Sequence, residues 1–123
     1  MAYSDAITFY RNLANENPNS GVEYNALRMI SLSYLYQKNW SEGLKVLSEL
    51  LMKYPKLMSN ISQVVPAINN IAVNQTKDFD SAINIYKKFI ETYPNHPINN
   101  TLSDAIKRLE ELKTKNSTPS ASK

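Results

Sequence analysis

Apolar residues recur three and four positions apart along most of this chain, which is the spacing of one face of an α-helix. Ala6, Ile7, Phe9, Tyr10 and Leu13 form a first stripe. Leu27, Ile30, Tyr34 and Leu35 form a second, and Leu44, Leu47, Leu50, Leu51 and Tyr54 a third. The fourth is Ile61, Val64, Val65, Ile68 and Ile71. Ala82, Ile83, Tyr86, Phe89, Ile90 and Tyr93 make a fifth, and Leu102, Ala105, Ile106, Leu109 and Leu112 a sixth. The pattern predicts helices over roughly 3–16, 21–38, 41–54, 58–75, 79–92 and 98–115. The gaps between them are short, so neighbouring helices are expected to pack antiparallel.

Polar residues mark the ends. Ser4 or Tyr3 opens the first helix, with Asp5 in the first turn, where negative charge suits the helix dipole. Ser41, followed by Glu42, is the expected cap of the third helix, and Asp78 or Asp80 of the fifth. Pro97 disfavours helix at His96 and suits a helix start. Asn116 to Lys123 is rich in Ser, Thr and Pro with no apolar anchor, and a disordered tail is expected there.

Composition sharpens the all-α reading. Two Gly in 123 residues argue against a turn-rich β fold, and the length suits one domain, expected over 1–115. No apolar run approaches the ~18 residues of a membrane-spanning helix, which predicts a soluble chain. Without Cys there is no disulfide framework, thiolate metal site or thiol nucleophile, and one His excludes a His-rich metal site. A net charge of +3 is mild and does not by itself point to nucleic acid.

The odd-numbered helices align with one another. Residues 3–10, 40–47 and 79–86 superpose so that Ala6, Gly43 and Ala82 coincide, as do Tyr10, Leu47 and Tyr86. Leu13, Leu50 and Phe89 coincide next, and Pro18, Pro55 and Pro94 follow, each twelve residues after the small residue. The small residues are 37 and then 39 apart, a period that marks stacked repeats. A small side chain lets paired helices approach closely, the residue one turn later fills the gap, and Pro sets the turn into the next unit.

This pattern resembles the tetratricopeptide repeat family. The residues that carry the likeness are Trp40-Ser41-Glu42-Gly43 with Leu44 to Pro55, and Phe79, Asp80, Ala82, Tyr86 and Pro94. Leu27, Ile30, Ser31 and Tyr34 match the packing positions of a first helix. The resemblance implies a superhelix of antiparallel helix hairpins, about two and a half repeats, with 98–115 as a polar-faced C-terminal cap. The intervals exceed the family's usual ~34 residues. In the third copy Asn69 and Asn70 stand where large and small packing residues belong, and Pro66 predicts a kink in the fourth helix or a start after it. The first helix is of the second type and has no first-type partner, so either the chain is cut from a longer array or this helix packs on something else. The Tyr54-Pro55 and Tyr93-Pro94-Asn95 endings are similar to repeats of bacterial envelope proteins, which implies a periplasmic or membrane-associated parent, with the cytoplasm as the alternative.

Catalytic chemistry finds no foothold. His96 lies in a turn between two helices, where a structural role is expected because a functional His would need a carboxylate or nucleophile nearby, and most Tyr occupy packing positions instead of a stacking platform for nucleic acid. Lys87-Lys88, Lys107-Arg108, Lys113 and Lys115 read as solvated helix faces, Asp78 and Asp80 as helix-start residues, and Glu110 and Glu111 as the polar side of the last helix. There is no Gly-rich phosphate loop and no nucleophile elbow. The expectation is a non-catalytic scaffold or adaptor with no cofactor, metal or nucleic acid, whose partner is a protein or peptide. By the register of the resembling family, the first helices line a concave face. Asn25, Arg28, Leu32, Leu35 and Tyr36 point there from the second helix, and Val64, Ala67, Ile71 and Asn74 from the fourth. Asn25 and Arg28 could hold a backbone or carboxylate, over an apolar floor of Leu32 and Leu35. The alternatives are self-assembly through the flank Ile7, Phe9, Tyr10 and Leu13, and an accessory domain of a larger protein.

Overall fold

A computed structural model describes residues 2–117. The helices are α1 (Ala2–Glu16), α2 (Gly21–Tyr36), α3 (Trp40–Lys53), α4 (Met58–Asn70), α5 (Phe79–Thr92) and α6 (Asn99–Ser117). A π-helical segment, Ile71–Thr76, continues directly from α4, and no strand occurs among the described residues. The expected tail is helical as far as Ser117, because α6 runs two residues past its expected end; the rest of that tail lies outside the described residues.

The chain divides between Val65 and Pro66 into two compact units. In the first, α2 packs against both α1 and α3. An ion pair gives the direction of α2 against α3. Glu23, at the start of α2, meets Lys53 at the end of α3, so these helices are antiparallel. Arg11 of α1 forks onto Glu49 of α3 at 3.1 and 3.3 Å. Both partners are about one third exposed, and such a pair is worth under about 1 kcal/mol. The core is apolar, with Leu27, Ile30, Leu50, Leu51 and Ile61 all but removed from water.

The ends are built locally. Ser20 caps α2 by accepting the Glu23 N–H at 3.2 Å, and Asp78 caps α5 by accepting that of Ser81 at 3.2 Å. The cap of α3 is Asn39, not Ser41: its side chain accepts the Glu42 N–H at 3.4 Å, and the helix already begins at Trp40. Before it, α2 closes with the Asn39 N–H on the Tyr34 carbonyl and the Lys38 N–H on that of Leu35. This double closure needs a left-handed residue, and Lys38 supplies it at φ 60°. Lys77, 39 positions later, is left-handed too, at φ 59°.

A tight approach explains the small residue of the repeat. A Cβ built on Gly43 would lie 2.9 Å from Leu35 Cδ2 and 3.8 Å from Tyr34 Cβ, so α2 sits directly on α3 there. Ala82 is fully buried in its own unit. Ala6 differs, being only half-buried, as are Tyr10 and Leu13, whose counterparts Leu47, Tyr86, Leu50 and Phe89 are buried. On α1, Ala14 is the buried apolar residue among those described.

In the second unit α5 packs against α6 and against the π-helical segment. Lys113 near the end of α6 bonds Asp80 near the start of α5 at 2.8 Å, which makes this pair antiparallel. The α4 helix runs through Pro66 instead of starting after it. Its irregularity falls further on, in the wider turns of Ile71–Thr76, where the Thr76 hydroxyl bonds the Ile71 carbonyl at 3.3 Å. Widened turns absorb inserted residues. The stretch from Met58 to Thr76 has 19 residues against 16 in α2, while the following loop is one residue shorter. The net two residues are the excess of the 39-residue interval over the 37-residue one.

The misfit residues Asn69 and Asn70 resolve in the same place. Asn69 accepts the Tyr86 hydroxyl at 2.6 Å, and Asn70 accepts from Asn74 at the surface. Tyr86 is fully buried, and burial pushes its phenol pKa well above the ordinary value. Thirty-nine residues earlier the two positions hold Ile30 and Leu47, both buried. A polar pair thus stands where the preceding copy has an apolar one. A double-mutant cycle on Asn69→Ala and Tyr86→Phe is expected to return a coupling of about 1 kcal/mol in urea unfolding; additivity within error would deny the pairing.

Candidate interaction surface

The α2 helix has apolar residues on both sides. Its inner side buries Ala26, Leu27 and Ile30, together with Ser31 and Ser33, whose hydroxyls bond the Arg28 and Met29 carbonyls of their own helix. Its outer side exposes Val22, Asn25, Met29, Leu32 and Tyr36, with Tyr36 73% accessible. Arg28 and Leu35 are half-buried along one edge. A single surface helix buried on one side ordinarily turns charge to water on the other; this one turns apolar side chains.

The charges of α2 lie elsewhere. Glu23, although in the first turn, points inward and is 5% exposed. Its carboxylate accepts the Asn19 N–H at 3.0 Å, the Lys53 ammonium at 2.6 Å and the Tyr54 hydroxyl. Burial pushes the Glu23 pKa up, but the bonds from Lys53, Tyr54 and Asn19 outweigh it and hold the group below its ordinary value. Burial, and then the Glu23 carboxylate, push the Tyr54 phenol up. The Tyr54 ring meets that of Tyr24 edge-on at 5.1 Å, and the Arg28 guanidinium lies 5.9 Å above the Tyr24 ring. A chain of contacts thus runs from the buried acid to the one cation on the outer edge of α2.

Glu23 belongs to a third set of equivalent positions that the apolar pattern did not reveal. It follows Asn17 by six residues, as Asn60 follows Tyr54 and Asn99 follows Tyr93. Asn60, fully buried, donates its amide to the Leu50 carbonyl at 3.0 Å and the Tyr54 carbonyl at 3.5 Å. Asn99 donates to the Tyr93 carbonyl at 2.7 Å. Both amides add a second bond to carbonyls at a helix C-terminus, which already accept backbone N–H groups of the cap or turn. A carboxylate cannot donate, so Glu23 accepts instead, from the Asn19 N–H and from the Lys53 and Tyr54 side chains at the end of the following helix, α3. The signal legible in the sequence is the repeated Tyr-Pro turn with Asn six residues after the Tyr, at positions 60 and 99.

The expected partner-facing residues fall into different environments. Asn25, Leu32 and Tyr36 are exposed, and Arg28 and Leu35 half-buried, all on α2; Leu35 also packs over Gly43. Of the other set, Ala67 is half-buried and Asn74 exposed. Ile71 and Val64 belong to the core, because the π-helical turns and the α4 register direct them inward. Val22 and Met29 were not among the expected residues, though they continue the exposed side of α2. Among the described residues, the exposed large apolar side chains all lie in the first unit: Tyr3 and Phe9 on α1, the four on α2, and Leu57 and Met58 at the start of α4.

Elsewhere the chemistry is sparse. Among the described residues no three of His, Cys, Asp and Glu gather as a metal site would require, and no helix is long and apolar enough to cross a membrane. His96 takes the Ile98 N–H on Nδ1 at 3.1 Å and meets Phe89 edge-on, which is a turn-closing role. The hollow along α6 is lined by Lys107, Arg108, Glu110, Glu111 and Lys115, with mixed charge on a single helix.

Because the Glu23 pKa is lower folded than unfolded, its contribution is present above the ordinary value of 4.5 and is lost as pH falls through the native value. Glu23→Gln is expected to cost about 1–2 kcal/mol near neutral pH. The gap in melting temperature between variant and parent should close as pH is lowered below 4.5; a gap that stays constant would contradict the assigned network.

The tetratricopeptide repeat model matches residues 25–56, from α2 through α3 to the turn after it, and residues 71–96, from the π-helical segment through α5. No curated protein and no solved structure matches the chain. Such repeats are in general protein–protein interaction modules, typically non-catalytic. With their paired helices, the small residue at the helix contact and the closing Pro, these two stretches are tetratricopeptide repeats.

Proposed function

We propose that the chain is a protein-binding module without catalytic activity of its own, and that the outer side of α2 is where it takes a protein or peptide. The observation that carries this reading is the run of exposed Val22, Met29, Leu32 and Tyr36 beside Arg28 on a helix whose inner side is sealed by Leu27 and Ile30. Exposed apolar side chains gathered on one element mark an interaction site. Asn25 and Arg28 add polar groups that orient a partner, and Leu35 borders them. The repeat match supports the class of function and leaves the partner open.

Immobilised chain exposed to native lysate should retain a partner. Arg28→Glu or Leu32→Glu should reduce that capture about tenfold or more, equivalent to ~1.4 kcal/mol, while the helical circular-dichroism signal and melting temperature hold. Equal capture by parent and variants would refute α2 as the site.

A second reading rests on a different helix. Phe9 is 59% exposed, and Ala6, Tyr10 and Leu13 are half-buried where their counterparts are buried. We propose this flank as a contact with another copy. Light scattering should then show mass rising with concentration, and Phe9→Glu should abolish the rise; a monomer throughout would eliminate this contact.

A further inference from the structure

After Gly21 at its start, the exposed positions of α2 are 22, 25, 29, 32 and 36. Their gaps alternate three and four, a mean of 3.5 residues, which is the repeat of a coiled-coil seam. Val22, Met29 and Tyr36 take the first core position of each heptad, and Asn25 and Leu32 the second. Arg28 then falls on the flanking position next to the seam, where ion pairs between helices form. It lies over the Tyr24 ring at 5.9 Å, and none of the ion pairs of the described residues includes it. The other charge of α2, Glu23, is buried and bonded within its own unit. The seam is therefore apolar, interrupted by one amide, and flanked by a cation without a carboxylate.

Spacing decides what fits. Along α2 successive seam residues advance about 5 Å. An extended peptide presents same-side residues about 7 Å apart, so it falls out of step within two contacts. A second helix stays in step over the full length of α2. An isolated Asn in a seam selects a polar residue opposite and so sets the register. Resting on the reading of α2 as the interaction face, we propose that its occupant is an amphipathic α-helix of a partner protein. That helix carries apolar residues at 3.5-residue spacing, one polar residue opposite Asn25 and an Asp or Glu opposite Arg28.

The test uses the full chain and labelled synthetic peptides in fluorescence anisotropy. The first peptide is a helix-forming heptad sequence with Leu in the seam, one Asn, and Glu at the flanks. The second replaces Glu with Lys, and the third has the first composition with central Pro residues that break the helix. The acidic helix should bind, the Lys version at least tenfold more weakly, and the Pro version not measurably. Arg28→Glu should reverse the charge preference, and Met29→Glu or Leu32→Glu should abolish binding with the circular-dichroism melt unchanged. A displayed library of random peptides runs alongside. If Leu32-dependent binders emerge but are extended or carry no acid, or if the Pro peptide binds equally, the helical partner is overturned while α2 survives as the interaction face. If no designed or displayed peptide binds in a Leu32-dependent way, both readings fall. A mass rise with concentration that Leu32→Glu removes would assign the seam to a second copy and overturn the partner helix.

Discussion

The contact between α2 and α3 at Gly43 organises the first unit. With a hydrogen at that position, Leu35 and Tyr34 can lie directly over the start of α3; one added carbon would sit 2.9 Å from Leu35 Cδ2. At the other end of the same pair, Glu23 reaches Lys53 and Tyr54. Held at both ends, α2 seals Leu27 and Ile30 from water, and its rotation about its own axis is set. That rotation is what turns Val22, Met29, Leu32 and Tyr36 outward. The exposed side of α2 is thus a consequence of how its buried side is fastened.

Polar groups are exchanged between copies without loss of the architecture. Ile30 and Leu47 are replaced 39 residues later by Asn69 and Tyr86, which bond to each other. The amides of Asn60 and Asn99 bond helix-end carbonyls, and Glu23 at the equivalent place bonds the side chains of such an end. The exchanges at Asn69–Tyr86 and at Glu23 keep their buried polar groups paired, whereas Asn60 and Asn99 pair their amide N–H groups and keep Oδ1 buried without a protein partner among the described residues; an unpaired buried group costs about 1–3 kcal/mol. The units tolerate different residues at one position provided the partner position changes as well.

The surface divides in the same way as the chain. In the second unit the described outer residues of α6 are Asn, Thr, Ser and charged side chains, partly tied into pairs with α5 through Lys113–Asp80 and Lys87–Glu110. Such a face is solvated and offers little to a partner. In the first unit α1 and α2 each leave large apolar side chains in water. These two helices differ in what they leave open: α1 exposes positions that are core in the other copies, whereas α2 exposes a side that its own core never required.

Helical periodicity and the recurrence of Ala6, Gly43 and Ala82 determined the element order, because both depend only on spacing along the chain. The helix boundaries follow to within a few residues for the same reason, and so does the class of function that the repeat implies. The inward turn of Glu23, the pairing of Asn69 with Tyr86 and the π-helical turns that bury Ile71 were decided by the tertiary structure. Each depends on a partner tens of residues away or on an insertion absorbed inside a helix, and a residue's type does not say whether its hydrogen bond will be made to water or to another segment. The exposed seam of α2 lies between these cases. Its spacing stood in the sequence, but both faces of that helix are apolar, and only packing on α1 and α3 decided which one remained in water.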